Sequence, residues 1–395
     1  MPHNADLYRV IVDRIKQTPR QRISFAEFME LALYHPQHGY YAAQASVIGP
    51  GGDFITSPHL GHDFGELIAE QFAEMWAILD RPEVFTVVEM GAGQGLVAWD
   101  VLTLLQKTHP DCFAALEYWI VEKSPALKKA QQKSLAQWAD KLAWTTLEEI
   151  PKGSVTGCFF SNELVDALPV HQVILTESGL HEIYVTVDPE AEEAFTETVG
   201  ELSVLQLVAY FEQVGINLSL EQYEAGYRTE VNLAALNLVR AVAAALQRGF
   251  VLTIDYGYPA SRYYSRTRSQ GTLQCYYQHA HHNDPYSHVG HQDITAHVDF
   301  TALERQGERY GLTTVGATQQ AMFLMALGLG DRLQALSDIQ ERPDALQTII
   351  QRRDVLHQLI NPMGLGNFGV LIQSKGLTEE EAQMPLKGLT VPPMI

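Results

Sequence analysis

The chain has 395 residues, a length that fits one large α/β domain or two domains. Hydrophobic residues make up 46% of it and charged residues 19%, a balance that excludes a disordered or fibrous protein. The 27 basic and 47 acidic side chains give a formal charge of −20, so we expect no nucleic-acid partner, because the phosphate backbone would be repelled.

The cysteines and the first residues of the sequence indicate the cellular compartment of the protein. Cys112, Cys158 and Cys275 are far apart in the sequence, which fits neither a disulfide framework nor a zinc ribbon and favours a reducing compartment. The first residues lack the long apolar core of a signal peptide, and no stretch of about 18 apolar residues occurs in the chain. We therefore expect a cytoplasmic protein without a membrane span.

In chain order, the first predicted elements are helices. Residues 5–34 have the apolar periodicity of two helices, and Ser24 with Glu27 forms a capping box at the start of the second. Residues 35–58 are rich in Gly, Pro and Ser and predict a long loop of the kind that is often functional. Residues 60–78 are predicted to be helical again.

Strands and helices then alternate along the chain. Apolar runs predict seven strands: one each at 84–90, 117–123 and 142–146, a fourth within 157–166, and three more at 250–257, 312–317 and 368–376. Amphipathic stretches at 96–106 and 125–138 predict helices between the first strands. Further on, an acidic, hairpin-like piece at 181–195 is expected to lead into helices near 201–213 and 230–247, and a helical stretch is expected at about 319–359. The fold class is therefore predicted to be α/β, with a seven-stranded, doubly wound, Rossmann-like sheet, N-terminal helices and a helical insertion.

A glycine-rich turn follows the first predicted strand. Glu89, Gly91, Gly93 and Gly95 have the spacing E-x-G-x-G-x-G, and glycines let the backbone approach a ligand closely before a helix N-terminus. A dinucleotide-binding turn has G-x-G-x-x-G, but here Leu96 stands at the last position. The spacing is typical of the nucleoside-binding turn of class I S-adenosylmethionine methyltransferases. An ordinary strand–helix turn is the alternative.

Glu122 ends the second predicted strand. A carboxylate at this place accepts hydrogen bonds from both ribose hydroxyls of a nucleoside bound at the glycine turn. Both nicotinamide dinucleotide and S-adenosylmethionine sites use this arrangement, so Glu122 does not choose between an oxidoreductase and a methyltransferase. The alternative is an exposed acid paired with Lys123.

Acidic and amide side chains follow the fourth predicted strand. Asn162, Glu163 and Asp166 would lie where the carboxyl ends of the strands face the ligand crevice. Carboxylates there suit a cationic acceptor. Alternatively, Asn162 caps a helix whose dipole favours Glu163.

Several longer motifs carry a family resemblance that runs nearly from end to end. They include ISFAEFMELALYHPQHGYY, GGDFITSPHLGHDFGELIA, VVEMGAGQG, SNELVDALPVHQ, IDYGY, QGTLQCYYQHAHHNDPYSHVGHQDITAHVDFTAL and NPMGLGNFGVLIQSKG. With these motifs the chain resembles the S-adenosylmethionine-dependent methyltransferases of the mitochondrial complex I assembly factor type. The resemblance implies S-adenosyl-L-methionine as cofactor and, as substrate, a protein that presents an arginine, such as a respiratory complex I-type subunit.

The resemblance also implies site residues. Besides the glycine turn with Glu89, the residues Glu122 and Asn162 would bind the donor, and the loop would add Asp53, Phe54, Thr56, Ser57 and Pro58 around its methionine part. For the acceptor, Glu163 and Asp166 would hold the guanidinium group, because a delocalised cation must be pinned and lose a proton. Asp255, in IDYGY, and His291, by resemblance alone, are the further catalytic candidates.

The domain organisation follows from these motifs. Residues 1–80 are the N-terminal helical region and donor-covering loop, residues 81–178 and 249–395 are the two parts of the methyltransferase core, and residues 179–248 are the helical insertion. The histidines of the 279–297 region lack zinc-site spacing, so no metal is expected. A non-catalytic assembly chaperone on the same fold is a rival interpretation, and the oligomeric state stays open, with a homodimer among the alternatives.

Overall fold

A computed structural model describes residues 4–43, 56–190, 194–278, 280–337 and 346–391. Its α-helices are α1 (Ala5–Gln17), α2 (Phe25–Tyr34), α3 (Tyr40–Ala43), α4 (Asp63–Ile78), α5 (Leu96–Thr108), α6 (Pro110–Ala115), α7 (Pro125–Ser134), α8 (Gln206–Val214), α9 (Leu233–Ala245), α10 (Ala260–Tyr263), α11 (Phe300–Arg309), α12 (Gln320–Leu324), α13 (Gly330–Ser337), α14 (Leu346–Leu359) and α15 (Glu379–Gln383).

Its strands are β1 (Ile23–Ser24), β2 (Phe85–Met90), β3 (Leu116–Val121), β4 (Leu142–Thr145), β5 (Val155–Asn162), β6 (His171–Thr176), β7 (Gly179–Val187), β8 (Phe195–Gly200), β9 (Arg228–Val231), β10 (Leu246–Asp255), β11 (Gly257–Tyr258), β12 (Gln274–Tyr277), β13 (Ala280–His282), β14 (Asp293–Thr295), β15 (Val298–Asp299), β16 (Thr313–Gln319) and β17 (Gly369–Lys375).

Seven of these strands form the central sheet, in the order β16-β17-β10-β5-β2-β3-β4. Strands β10, β5, β2, β3 and β4 are parallel to one another, whereas β17 is antiparallel to both of its neighbours. The sheet is therefore mixed. The carboxyl ends of the five parallel strands lie along one edge, which is where open α/β sheets bind ligands.

The sequence predicts all seven strands of this sheet, and the α/β class is confirmed. Strand β2 illustrates why, because each of its six residues is buried and the run is rich in β-branched residues. On one face, Val87 belongs to a core with Phe72 of α4 and Leu102 of α5. On the other face, Val88 belongs to a core with Val242 of α9. Burial on both faces explains why β2 reads as a continuous apolar run.

A second sheet differs from the expected helical insertion at 179–248. It has the strand order β1-β7-β6-β9, with β8 also paired to β7. Residues 179–248 contribute three of its strands as well as the helices α8 and α9. The short strand β1 comes from the N-terminal region and pairs Ile23 with Val185. That pairing joins segments far apart in the sequence, so local periodicity does not reveal it.

Three further observations apply to the residues that the structure describes. None of their helices combines the length and the apolar character needed to cross a membrane. No group of three or more His, Cys, Asp or Glu side chains among them is arranged to hold a metal ion. Cys112, Cys158 and Cys275 are buried and form no disulfide.

Candidate active site

The glycine turn lies between β2 and α5. Gly91, Gly93 and Gly95 have φ values of 74°, 53° and 79°, in the left-handed region that favours glycine. A Cβ atom added to Gly93 would meet no atom of the described residues within 4 Å, whereas one added to Gly91 would lie 2.8 Å from Cδ1 of Leu164. The turn therefore leaves open space beside Gly93, at the edge of the sheet where the parallel strands end.

That space belongs to a cavity of about 680 Å³. One end is formed by the glycine turn and the residues after β3, and the opposite walls come from the N-terminal helices and α9. Residues that line it include Tyr34, Tyr41, Thr56, Pro58, Gly91, Gly93, Glu122, Leu147, Asn162, Glu163, Ala167 and Leu238. A volume of this size suits a small-molecule cofactor together with an inserted side chain.

Glu89 and Glu122 both contribute carboxylates to the glycine-turn end. Glu89 is buried and accepts a 2.8 Å hydrogen bond from Oη of Tyr118, and burial raises its pKa to about 7. Glu122 accepts a hydrogen bond from the backbone N–H of Ser124 at 2.8 Å. Lys123 lies 3.9 Å from Glu30, so the structure does not show the alternative pairing of Lys123 with Glu122. Glu122 therefore faces the cavity as a candidate ribose ligand.

The predicted loop contributes its last residues to the cavity. Thr56 and Pro58 line the wall, and Ser57 is fully buried behind them. The Ser57 backbone N–H donates to Oε1 of Glu163 at 3.3 Å, and its hydroxyl donates to Oε1 of Gln320 at 3.3 Å. Asp53 and Phe54, which were predicted beside them, lie outside the described residues. The end of the loop is thus anchored both to the acidic residues after β5 and to α12.

Glu163 occupies an unusual backbone conformation directly after β5. Its φ of 50° is uncommon for a residue with a side chain, and such strain is concentrated at functional sites. Oε1 of Glu163 accepts a 3.0 Å hydrogen bond from the Asn162 amide, while the Glu163 backbone N–H donates to the Ile254 carbonyl. Residues 163–170 form turns and irregular chain. The alternative interpretation of Asn162 as a helix cap is therefore wrong.

Asp166 has a buried carboxyl group with an unsatisfied oxygen atom. Its side chain is 6% exposed, and its Oδ1 atom has no hydrogen-bond partner among the described residues. Burial, together with the charges of Asp255 and Glu163, raises the pKa of Asp166 well above the usual range. Burial and the charge of Asp255 likewise raise the pKa of Glu163 to about 8. Such a group of acids favours a cationic ligand.

Asp255 lies at the end of β10 beside these acids. It is fully buried, and its Oδ2 atom accepts hydrogen bonds from the backbone N–H groups of Val165 at 2.9 Å and Asp166 at 3.3 Å. Its Oδ1 atom accepts one from Tyr256 N–H at 2.8 Å. Asp255 thus holds the turn that carries Glu163 and Asp166, and its predicted contact with the substrate stays a prediction.

Tyr34 and Tyr41 line the cavity near these acids, and Tyr41 contacts the buried Asp293. The sequence patterns did not indicate these three residues. Oη of Tyr41 donates to Oδ1 of Asp293 at 3.0 Å, and Oη of Tyr34 donates to the Ala167 carbonyl at 2.9 Å. The charge of Asp293 contributes to the raised pKa values of Glu163 and Asp166. Asp293 lies inside the quoted motif HQDITAHVDF, which is the signal that could have identified it.

Among the predicted catalytic residues, Glu163 lines the cavity, whereas Asp166 and Asp255 are buried beside it and do not belong to the lining. His291 lies in the segment between β13 and β14. Its backbone N–H donates to the His288 carbonyl at 2.7 Å, and the neighbouring Val289 carbonyl accepts from Asn4 at the start of α1. His291 is not among the described residues that line the cavity. Burial, with the charge of His288, lowers its pKa. The remaining predicted residues within the described ranges surround the cavity or support its walls.

Comparison with known proteins decides which nucleoside this site holds. Residues 67–318 match the model of a family of S-adenosyl-L-methionine-dependent methyltransferases. The chain belongs to this family. Its cofactor is therefore S-adenosyl-L-methionine, as the glycine spacing indicated, and the nicotinamide-dependent oxidoreductase is rejected. The site fits this donor, because Gly93 opens onto the cavity and Glu122 faces it from the next strand.

Individual relatives extend over most of the chain. The mouse protein named protein arginine methyltransferase NDUFAF7, mitochondrial, is 28% identical over 91% of this chain and 82% of its own length. The Drosophila melanogaster homolog of this protein is 30% identical over 80% of this chain and 73% of its own length. A Burkholderia thailandensis protein, whose crystal structure contains bound S-adenosyl-homocysteine, is 30% identical in sequence to this chain. The two structures superpose with a TM-score of 0.83 over 97% of this chain and 94% of the other.

Proposed function

We propose that this methyltransferase transfers methyl groups from S-adenosyl-L-methionine to an arginine side chain of a protein. The observation that carries the acceptor assignment is the pair formed by Glu163, which lines the cavity, and the buried carboxyl group of Asp166, whose Oδ1 atom has no hydrogen-bond partner among the described residues. The names of the mouse and fly relatives, which are protein arginine methyltransferases, support the same acceptor.

The chemistry of arginine explains why acidic residues such as Glu163 and Asp166 are needed at the acceptor site. A guanidinium group is planar, protonated at any working pH, and has its lone pairs delocalised. Two carboxylates can balance its charge and fix its plane through paired hydrogen bonds. Bound S-adenosyl-L-methionine supplies a methyl group on a positively charged sulfur. The acidic residues must therefore hold one guanidinium nitrogen in line with that methyl group, within about 3–3.5 Å.

Glu163 and Asp166 have complementary parts in this proposal. Ser57 and Asn162 orient Glu163 through its Oε1 atom, which leaves the other oxygen for the substrate. In this proposal Asp166, which is buried beside Glu163, binds the guanidinium group through its Oδ1 atom, which has no partner among the described residues. Because their raised pKa values favour the protonated acids, a bound guanidinium cation stabilises the ionised forms and releases protons to solvent. As the new N–C bond forms, the bond between the methyl carbon and sulfur breaks, which leaves neutral S-adenosyl-homocysteine, and one carboxylate accepts the proton that the nitrogen loses.

The finer features of the fold and its setting belong to the same proposal. We interpret the mixed sheet with cores on both faces as a doubly wound, Rossmann-like methyltransferase sheet. We propose a cytoplasmic protein and a substrate of the respiratory complex I-subunit type, on the sequence arguments given above.

Substitution of Glu163 tests the acceptor assignment. We expect Glu163→Gln to bind S-adenosyl-L-methionine within about threefold of the unaltered protein, because an amide oxygen still accepts from Ser57 and Asn162. Methyl transfer into protein should fall by about 100-fold or more, since a neutral amide neither balances the cation nor accepts its proton. Donor affinity is measured by calorimetry and transfer by incorporation of labelled methyl.

Glu177→Gln is the matched control, because Glu177 is an exposed residue in the turn between β6 and β7. It should leave both measurements unchanged. Transfer by Glu163→Gln at the unaltered rate would remove Glu163 from the acceptor site, while the assignment of the donor site would stand.

A further inference from the structure

Gln131 is a buried amide on an otherwise solvent-facing part of α7. Its side chain is fully buried, whereas the next residue, Gln132, is exposed. Nε2 of Gln131 donates to the Gly93 carbonyl at 2.8 Å and to Oε2 of Glu122 at 3.2 Å. Nε1 of Trp144 donates to its Oε1 atom at 2.9 Å. One side chain thus connects the glycine turn, the end of β3 and the end of β4.

The chemistry of the three partners determines the orientation of this amide. The indole of Trp144 can only donate, and the Gly93 carbonyl and the ionised Glu122 carboxylate can only accept. A flipped amide would place its oxygen against two acceptors and its N–H₂ group against a donor. The observed orientation is therefore the one that satisfies every group, and Trp144 selects it.

The same bonds determine how Glu122 is presented to the cavity. Its Oε1 atom is held by the backbone N–H of Ser124, and its Oε2 atom is held by Gln131. Each oxygen keeps a further lone pair for a ligand. A carboxylate fixed at both oxygens is preorganised to receive two neighbouring hydroxyl groups, and preorganisation increases affinity because less freedom is lost on binding.

We propose that Gln131 is a positioning residue of the donor site, which fixes the Glu122 carboxylate and the glycine turn relative to each other for a nucleoside with two ribose hydroxyls. The inference rests on Glu122 as the ribose ligand of the bound S-adenosyl-L-methionine. It predicts that Gln131 affects donor affinity through Glu122, without touching the donor.

A double-mutant cycle with S-adenosyl-homocysteine tests this inference. Gln131→Met keeps the length of the side chain but removes the amide, and we expect at least tenfold weaker binding by calorimetry. Gln132→Met, the matched control on the same helix, should bind within about twofold of the unaltered protein. In a Glu122→Ala background, Gln131→Met should weaken the binding of S-adenosyl-homocysteine by less than threefold. In turnover, KM for the donor should rise more than kcat falls.

Trp144→Phe is the second variant, for use if Gln131→Met does not fold. It removes only the indole N–H group that orients the Gln131 amide. We expect the affinity for S-adenosyl-homocysteine to fall several-fold when Glu122 is present and to change little in the Glu122→Ala background. Unaltered affinity in a folded Gln131 or Trp144 variant, or an equal loss with and without Glu122, would overturn the inference. If Glu122→Ala alone binds as the unaltered protein does, the assignment of the ribose ligand fails instead.

Discussion

Gly93 offers a direct test of the donor site, because its surroundings separate backbone strain from ligand contact. Gly93 and Gly153 both have left-handed φ values, 53° and 61°, and within the part of the chain that the structure describes an added Cβ atom meets no other atom within 4 Å at either glycine. Replacing either by Ala should lower the free energy of unfolding by about 1 kcal/mol. Only Gly93 lines the cavity, so only Gly93→Ala should also weaken donor binding, by about tenfold or more.

Chemical denaturation and calorimetry on the two variants provide the comparison. Equal stability losses with a selective loss of donor binding are the expected pattern. Equal donor affinities in the two variants would show that the backbone beside Gly93 does not approach the donor.

Single residues of the site differ in how far the sequence reveals them. The glycines, Glu122 and Glu163 follow directly from their places at the ends of predicted strands, because parallel strands bring their carboxyl ends to one edge. Gln131 could not be predicted in this way, because its positioning role depends on hydrogen-bond partners that only the fold brings together. Asp293 could not be predicted for a similar reason. It belongs to β14, which pairs with β12 in a three-stranded sheet separate from the central one.

The turn after β5 depends on β10 for its shape. Asp255 accepts three backbone hydrogen bonds there, two of them from residues of the turn. In Asp255→Asn, one side of the group would present N–H₂ to a backbone N–H, which leaves a buried donor unsatisfied. We expect the free energy of unfolding to fall by about 1–3 kcal/mol. Methyl transfer should fall as the turn shifts, while donor affinity should change little.

Thermal unfolding and the transfer assay on Asp255→Asn check this expectation. Unchanged stability together with reduced transfer would instead favour the sequence-based assignment of Asp255 as a direct substrate contact.

Secondary structure was predictable where burial produces a local pattern. Strand β2 is buried on both faces, and β5 is nearly so, so each gives a continuous apolar run. The strands of the second sheet were not recognised as a sheet. Strand β9 has four residues and β1 has two, and their partners are distant in the sequence. For such elements, tertiary contacts decide the conformation and local propensity does not.

The buried acids together predict how the stability of the whole molecule depends on pH. The folded pKa of Glu163 is about 8, and those of Glu89 and Asp255 are about 7, all above their values in an unfolded chain. The folded state therefore binds more protons than the unfolded state between about pH 5 and pH 7. In the absence of donor, the free energy of unfolding should fall as the pH rises through this range.

Glu163→Gln should make this decrease shallower, by up to about 1.4 kcal/mol per pH unit, the contribution of one titrating group. Glu177→Gln should leave the slope unchanged, because its side chain is exposed. Urea unfolding at a series of pH values measures these slopes. A slope unaffected by Glu163→Gln would mean that Glu163 is already ionised in the folded protein at pH 5.

The most direct measurement of the central claim is the identity of the methylated residue. The full chain is incubated with donor that carries an isotopically labelled methyl group and with an extract of source cells that lack this protein, and the digested proteins are sequenced by tandem mass spectrometry. We predict label on the guanidinium nitrogens of arginine, and its loss with Glu163→Gln but not with Glu177→Gln. Label on another residue type, or no label in protein, would contradict the account.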